Sequence, residues 1–209
     1  MDRFIRLQAV ACPVAVSAID TDQLIPARFM SRPRAAGYGA FLLHDRRFGP
    51  DGQPLGFVLD QPGYAGAQIL VTGADFGVGS SREAAVYALW DFGIRCVIAP
   101  SFADIFAGNA VKNGLLAAQV TDEVAAALTD ALTAMPGLEA TVNLESQTIE
   151  WGDRQARFEM DPVRRTQLMN GWDELDMTQR HAPDIAMFLA GYRAKYPWAF
   201  IDRDAPAKP

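Results

Sequence analysis

From Gln68 onward the chain alternates between runs suited to a buried strand and runs suited to a helix, which restricts it to α/β architectures. Gln68-Ile-Leu-Val-Thr72 predicts a strand, and Gly73 to Ser81 is turn-rich. Arg82 to Phe92 has helical composition, with Gly93 placed to end it. Cys96 to Ala99 predicts a second strand. Ser101 is positioned to cap a short helix through about Val111, stopped near Gly114. Leu115 to Val120 comes next as a third strand. Asp122 to Met135 predicts a helix with Val124, Leu128 and Leu132 on its core face and Pro136-Gly137 beyond it.

The pattern then changes. Ala140–Leu144, Thr148–Trp151 and Ala156–Met160, with the turn Gly152-Asp153, read as a meander rather than another βα unit. Asp161-Pro162 opens a helix reaching Asn170-Gly171, as N-cap and first-turn proline. A last helix is expected after Pro183, with Ile185, Phe188, Leu189 and Tyr192 on one side. The expectation is one domain over 1–201 and a disordered polar tail over 202–209. The N-terminal third is harder to read. Ile19-Asp-Thr-Asp-Gln-Leu-Ile-Pro26 sets two carboxylates and a threonine in a tight loop, and residues 30–54, rich in Gly, Pro and Arg, suggest a long irregular segment.

Composition narrows the function. A net charge of −6, with basic residues gathered only at Arg32–Arg34 and Arg46–Arg47, argues against nucleic acid. No apolar run approaches the ~20 residues a membrane-spanning helix needs. The first residues lack a signal-peptide pattern, so a cytoplasmic location is expected. Cys12 and Cys96 allow one disulfide arithmetically, but in the cytoplasm reduced buried thiols are expected. Two cysteines and two histidines cannot supply the usual ligand set of an iron–sulfur cluster or structural zinc, so no metal site is expected on this chain.

The chemistry concentrates in Gly73 to Glu83. A glycine-rich turn leaves a strand and enters a helix through Ser80-Ser81-Arg82-Glu83. Free amides at a helix start attract an anion, glycines such as Gly79 let a ligand approach the backbone, and Arg82 offers a planar fork for a carboxylate. Ser80-x-x-Glu83 equally fits a capping box that serves only the helix.

Asp75-Phe-Gly-Val-Gly-Ser-Ser-Arg-Glu-Ala84 resembles the Gly-x-Gly-Ser-Ser-Arg-Glu-His segment of the aconitase superfamily swivel domain. Ile98 to Phe106, with Asn109 and Lys112-Asn-Gly-Leu-Leu116, resembles the next stretch of the small subunits of 3-isopropylmalate dehydratase. Ile19 to Phe29, Met169-Asn-Gly171 and Thr178-Gln-Arg-His181 resemble that family's N- and C-terminal motifs, in the family's order. The resemblance implies an aconitase-type swivel domain, with layered mixed β-sheet, flanking helices and a C-terminal helical extension. It implies a hydro-lyase of leucine biosynthesis acting on a small dicarboxylate hydroxy acid. A separate large subunit would carry the [4Fe-4S] cluster, this chain binding none. Ser80 would be the base. Arg82, Ser81 and Gly79 would bind substrate, with Arg34 in a substrate-selecting loop. Asp20, Thr21 and Asp22 would line and orient the cleft.

Two positions and one segment depart from the pattern. Val78 stands where the family usually has Cys, Ala84 where it has His, and Arg34-Ala-Ala-Gly37 where it has Thr-Arg-Thr-Gly. Val78 reads as a packing swap. The other two leave open a methyl-, dimethyl- or otherwise substituted malate as substrate, or a drifted surface loop in which Arg34 supplies the charge from one position away. A non-catalytic anion-binding or assembly module is the alternative of another class. His44, among Asp45, Arg46 and Arg47, reads as a solvated or rim residue, and His181 as structural.

Overall fold

The structure is a computed structural model and describes residues 1–200. The expected tail over 202–209 lies outside the described residues. Two compact units are present, Met1–Gly171 and a second that begins at Trp172.

In the first unit, seven strands form one mixed sheet in the order β4-β3-β2-β1-β5-β6-β7. These are β1 Arg6–Val14, β2 Ile69–Thr72, β3 Cys96–Ala99, β4 Leu116–Gln119, β5 Glu139–Asn143, β6 Thr148–Trp151 and β7 Arg154–Arg157. Strand β1 is the pivot. Arg6 to Val10 pair antiparallel with β5, and Ala11 to Val14 pair parallel with β2. One strand thus joins a parallel half to an antiparallel half. The β6–β7 hairpin turns at Gly152-Asp153, where Trp151 faces Arg154. The third meander strand therefore starts at Arg154 rather than Ala156, because a two-residue turn leaves no slack.

Side chains alternate between two core layers, as the period of two requires. Cys12, Val14, Leu70, Val97 and Ala99 face one layer. That layer is filled by α3 (Glu83–Phe92), α4 (Asp104–Lys112) and the irregular N-terminal segment. Ala9, Ala11, Ile69, Val71, Cys96 and Ile98 face the other, packed by Leu128 and Leu132 of α5 (Asp122–Ala134) and Leu168 of α6 (Pro162–Asn170). Cys12 and Cys96 therefore lie in different layers, on strands separated by β2, and both are free. A disulfide between them is excluded by geometry.

The N-terminal segment holds α1 (Thr21–Leu24), α2 (His44–Arg47) and short 3₁₀ turns. Arg47 is buried there and satisfied, its guanidinium on both Asp60 oxygens and the Leu42 carbonyl. Helix α6 begins as expected, with Asp161 accepting from the Val163 and Arg164 amides. The second unit contains α7 (Glu174–Gln179) and α8 (Ala182–Lys195). Asp173 and Asp176 close a capping box on α7, a helix not anticipated from the sequence. No helix among the described residues is long and apolar enough to cross a membrane.

Candidate active site

The loops that leave β1, β2 and β3 are laced together beyond the carboxyl ends of those strands, where open α/β sheets place their ligands. After β1, the Ala18 amide donates to the Ala74 carbonyl at 2.7 Å. The Gly77 amide donates to Ile19 at 2.8 Å, and the Thr21 amide to Val78 at 2.9 Å. Between the loops after β2 and β3, the Phe76 amide donates to the Ser101 carbonyl at 3.1 Å and the Ala103 amide to the Phe76 carbonyl at 3.0 Å. Phe76 is buried as a wedge, edge-on to Phe102 and Phe106 at centroid distances of 6.2 and 5.1 Å. Gly77 is required here. Its φ is +78°, and a Cβ would lie 2.2 Å from the Phe106 ring.

This lacing presents Gly79, Ser80 and Ser81 to solvent. Thr21, itself buried, accepts the Ser80 amide through its hydroxyl at 3.1 Å. Gly79, at φ +99°, leaves only 3.4 Å between a would-be Cβ and that hydroxyl. Asp22 pairs with the guanidinium of Arg82. Asp20 acts one step back, capping α1 by accepting from the Gln23 amide at 2.7 Å. The structure therefore brings Asp20, Thr21, Asp22, Gly79, Ser80, Ser81 and Arg82 together across a separation of about sixty residues.

The capping-box alternative does not form. Arg82 is the N-cap of α3, without a side-chain cap bond. Glu83 turns away and accepts from Asn113 Nδ2 at 2.8 Å, fixing α3 to the end of α4. Among the described residues neither the Ser80 nor the Ser81 hydroxyl has a hydrogen-bond partner. Two adjacent exposed serines thus stand beside an arginine whose present partner is a half-exposed carboxylate. That arrangement can exchange Asp22 for a ligand carboxylate on Arg82 and set a hydroxyl against the ligand's carbon skeleton.

Ser101 does not cap α4, whose N-cap is Ala103. Its hydroxyl accepts from the Asp75 amide at 2.7 Å and donates to Asp75 Oδ1 at 2.8 Å, steadying the site loop. Arg34 is not gathered into the site. Its guanidinium grips Asp91 at 2.6 and 2.9 Å, two helical turns along α3. The sequence does not single out Asp91, because an acidic residue late in a helix has no motif. Ala84 is half-buried against the core, and Val78 lends its backbone to the bridge with Asp20. His44 lies tilted against the Phe29 and Phe48 rings and contacts Asp45 at 3.0 Å. Arg28, hydrogen-bonded to Asp45, holds that carboxyl down to about 2.

The chain's own residues do not fit an iron–sulfur cluster. Cys12 and Cys96 are buried in different layers. Burial, with a smaller push from Asp60, raises the Cys12 thiol to about 12; burial raises Cys96 further. A cluster ligand must be a thiolate. Among the described residues no group of three or more His, Cys, Asp or Glu is placed to hold a metal.

Residues 1–123 match the aconitase C-terminal domain family. The chain is 46% identical, over 100% of its length and 88% of the relative's, to a 3-isopropylmalate dehydratase small subunit of Bifidobacterium longum subsp. infantis. It is 43% identical to one of Rhodospirillum centenum, covering 95% of this chain and 99% of that protein. A crystal structure of 3-isopropylmalate dehydratase from Methanocaldococcus jannaschii shares the fold, with a TM-score of 0.64 at 22% identity, covering 88% of this chain and 99% of that one. The mixed sheet with flanking helices is thus the aconitase-type architecture the motifs implied. With relatives this similar along its whole length, the chain belongs to the family of 3-isopropylmalate dehydratase small subunits.

Proposed function

We propose that this chain is the substrate-holding subunit of a hydro-lyase that interconverts 2- and 3-isopropylmalate by dehydration and rehydration. A large partner subunit carries the [4Fe-4S] cluster, and the complex works in the cytoplasm. The observation that carries this reading is the Ser80 hydroxyl, left without a partner beside the Arg82–Asp22 pair while Thr21 holds its backbone.

Bound to the partner, the cluster supplies a Lewis acid toward the substrate hydroxyl and carboxylate. This chain supplies the rest. Arg82 releases Asp22 and grips a substrate carboxylate as a planar fork. Ser80 Oγ, as the alkoxide, takes the proton from the carbon next to the hydroxyl-bearing one. The carbon–oxygen bond breaks and a double bond forms, the hydroxyl departing as hydroxide while Ser80 keeps the proton, together the elements of water. Returning that proton and a hydroxyl to exchanged carbons gives the isomer and restores the alkoxide. Arg82 and nearby backbone amides favour the alkoxide over the hydroxyl.

The test is turnover by the purified complex, with reconstituted cluster, on a panel of substituted malates. The expected result is the highest kcat/KM on the isopropylmalates and a colourless, inactive chain when the partner is omitted. A preference for methyl- or dimethylmalate would move the reading to a related dehydratase. A brown, iron-loaded isolated chain would overturn the division of labour.

A further inference from the structure

Two ion pairs join the same two stretches of chain, with their charges reversed. One stretch comes after β1 and runs from Asp20 to Phe41; the other comes after β2 and runs from Ser80 through α3. At the site end, Asp22 of the first stretch pairs with Arg82 of the second. Farther along, Arg34 of the first pairs with Asp91 of the second. Asp91 lies eight residues beyond the start of α3, about 12 Å at helical rise.

The two pairs are built differently. Arg82 meets Asp22 through one nitrogen, and the Asp22 side chain is 58% exposed. Asp91 is 16% exposed and takes both Arg34 nitrogens, at 2.6 and 2.9 Å. Its Oδ2 also accepts the Tyr38 amide at 2.7 Å. The Arg34 guanidinium lies over the Tyr87 ring, 4.4 Å from its centroid. Gly39 packs so closely that a Cβ there would sit 2.6 Å from the Asp91 carbonyl and the Phe92 amide. A side chain, a backbone amide and a glycine contact thus converge on one aspartate. Arg34 is itself 44% exposed and Arg82 22%, so the contrast lies in the carboxylates: an aspartate held by two guanidinium nitrogens and a backbone amide exchanges with solutes less readily than one held by a single contact.

We propose that Asp91 is a positioning residue for the Ser80 site. The Arg34–Asp91 pair is the fixed clasp that holds residues 34–38 on α3. The Asp22–Arg82 pair is the exchangeable clasp, opened when a substrate carboxylate replaces Asp22 on Arg82. The charge of Arg34 is committed to Asp91 and is not spent on substrate. This rests on Arg82 as the carboxylate fork, and the test separates the two ideas.

Asp91→Asn, Arg34→Gln and the double variant are compared in the full chain by amide hydrogen exchange, with and without millimolar malate. In the complex they are compared by steady-state kinetics. Asp91→Asn should speed exchange at residues 34–38 by about tenfold or more while α3 stays protected. It should raise KM about tenfold with kcat within about threefold, and the double variant should be no worse than either single one. Malate should slow exchange near residues 20–22 and 80–82 without loosening 34–38 in the native chain. Unchanged exchange at 34–38 in Asp91→Asn, additive single effects, or a loss confined to kcat would overturn the fixed clasp. A complex that turns over neither isopropylmalate nor any other substituted malate would sink the dehydratase reading instead, and the exchange data on the isolated chain would still decide the clasp.

Discussion

The Thr21 hydroxyl accepts the Ser80 amide at 3.1 Å and so ties the loop after β1 to the loop after β2 at the residue proposed as the base. Thr21 is 2% exposed, so its hydroxyl stands in a dry environment where a lost hydrogen bond is not replaced by water. The bond uses the serine's amide and leaves its side chain unengaged, which places the hydroxyl without occupying it.

Ser80→Ala tests that placement most directly. The hydroxyl caps nothing, because Arg82 is the N-cap of α3. Thermal unfolding should therefore stay within the ±0.5 kcal/mol typical of surface changes. Turnover by the complete complex should fall by about 10³-fold or more, the scale on which losing a key proton-transfer group is felt. Near-normal turnover would mean the serine is not the base.

Thr21→Val keeps the shape and removes the acceptor, leaving the Ser80 amide unsatisfied at a cost of ~1–3 kcal/mol. The expected outcome is a lower melting temperature together with reduced kcat. Thr21→Ser, which keeps the acceptor, should recover most of both. A Thr21→Val enzyme with unaltered kcat would show that the tie between the loops does not position Ser80.

Most of the parallel half is legible in the sequence because its strands carry the signals that survive tertiary context. Cys96-Val-Ile-Ala99 is a continuous apolar run, and Gly93 ends α3 at φ +114°. Strand β1 is not legible. Arg6-Leu-Gln-Ala-Val-Ala-Cys-Pro-Val14 changes partners midway and is polar and exposed at its start but buried on both faces at its end, so no single period describes it. Pro13, which argues against a central strand, lies in the half that has left the β5 ladder. At the site, Ser80, Arg82 and the Asp20–Asp22 loop are visible as motifs. Ser101 has the spacing of a helix cap; the structure spends it on Asp75 instead. Arg34 and Asp91 find each other only through the fold, 57 positions apart.

Gly77→Ala tests the wedge beneath the site. The substitution meets the Phe106 ring at 2.2 Å and places a side chain at φ +78°. Overpacking and left-handed strain together should cost ~2–5 kcal/mol. Gly52→Ala, also at positive φ but with nothing within 4 Å, should cost only the backbone strain. Chemical unfolding of the two variants side by side measures the difference, and equal losses would mean the Phe106 contact yields freely.

Ala35→Arg with Ala36→Thr tests whether residues 34–38 select the substrate. Both alanines are exposed in a 3₁₀ turn, Arg34–Ala36, that Arg34 and Tyr38 fasten to Asp91. New polar groups there should alter relative kcat/KM between isopropylmalate and smaller malates by more than the ~1–3 kcal/mol a methylene contributes. Assembly with the partner should not change. Identical preference profiles for the variant and the native complex would remove this segment as a selector.

The two thiols give a pH dependence with a fixed sign. Each has a folded pKa above its ordinary value of 9.0: Cys12 reaches about 12 through burial and the nearby Asp60 charge, and Cys96 is pushed higher by burial alone. A raised pKa means the native state holds the proton more tightly than the unfolded chain. The contribution is therefore complete below pH 9 and is lost as pH climbs from 9 toward the folded values. The unfolded chain releases up to two protons that the native state keeps, so stability should fall by up to ~1.4 kcal/mol per pH unit for each thiol. Urea unfolding at about pH 7, 9 and 10.5 measures the slope, and Cys12→Ala with Cys96→Ala separates it from other groups that titrate there. At about pH 8 both thiols should react with a thiol reagent only as fast as the protein unfolds, since buried neutral thiols are poor nucleophiles. Rapid labelling of native protein, or the same alkaline slope in the double variant, would show that these cysteines are not held as neutral core residues.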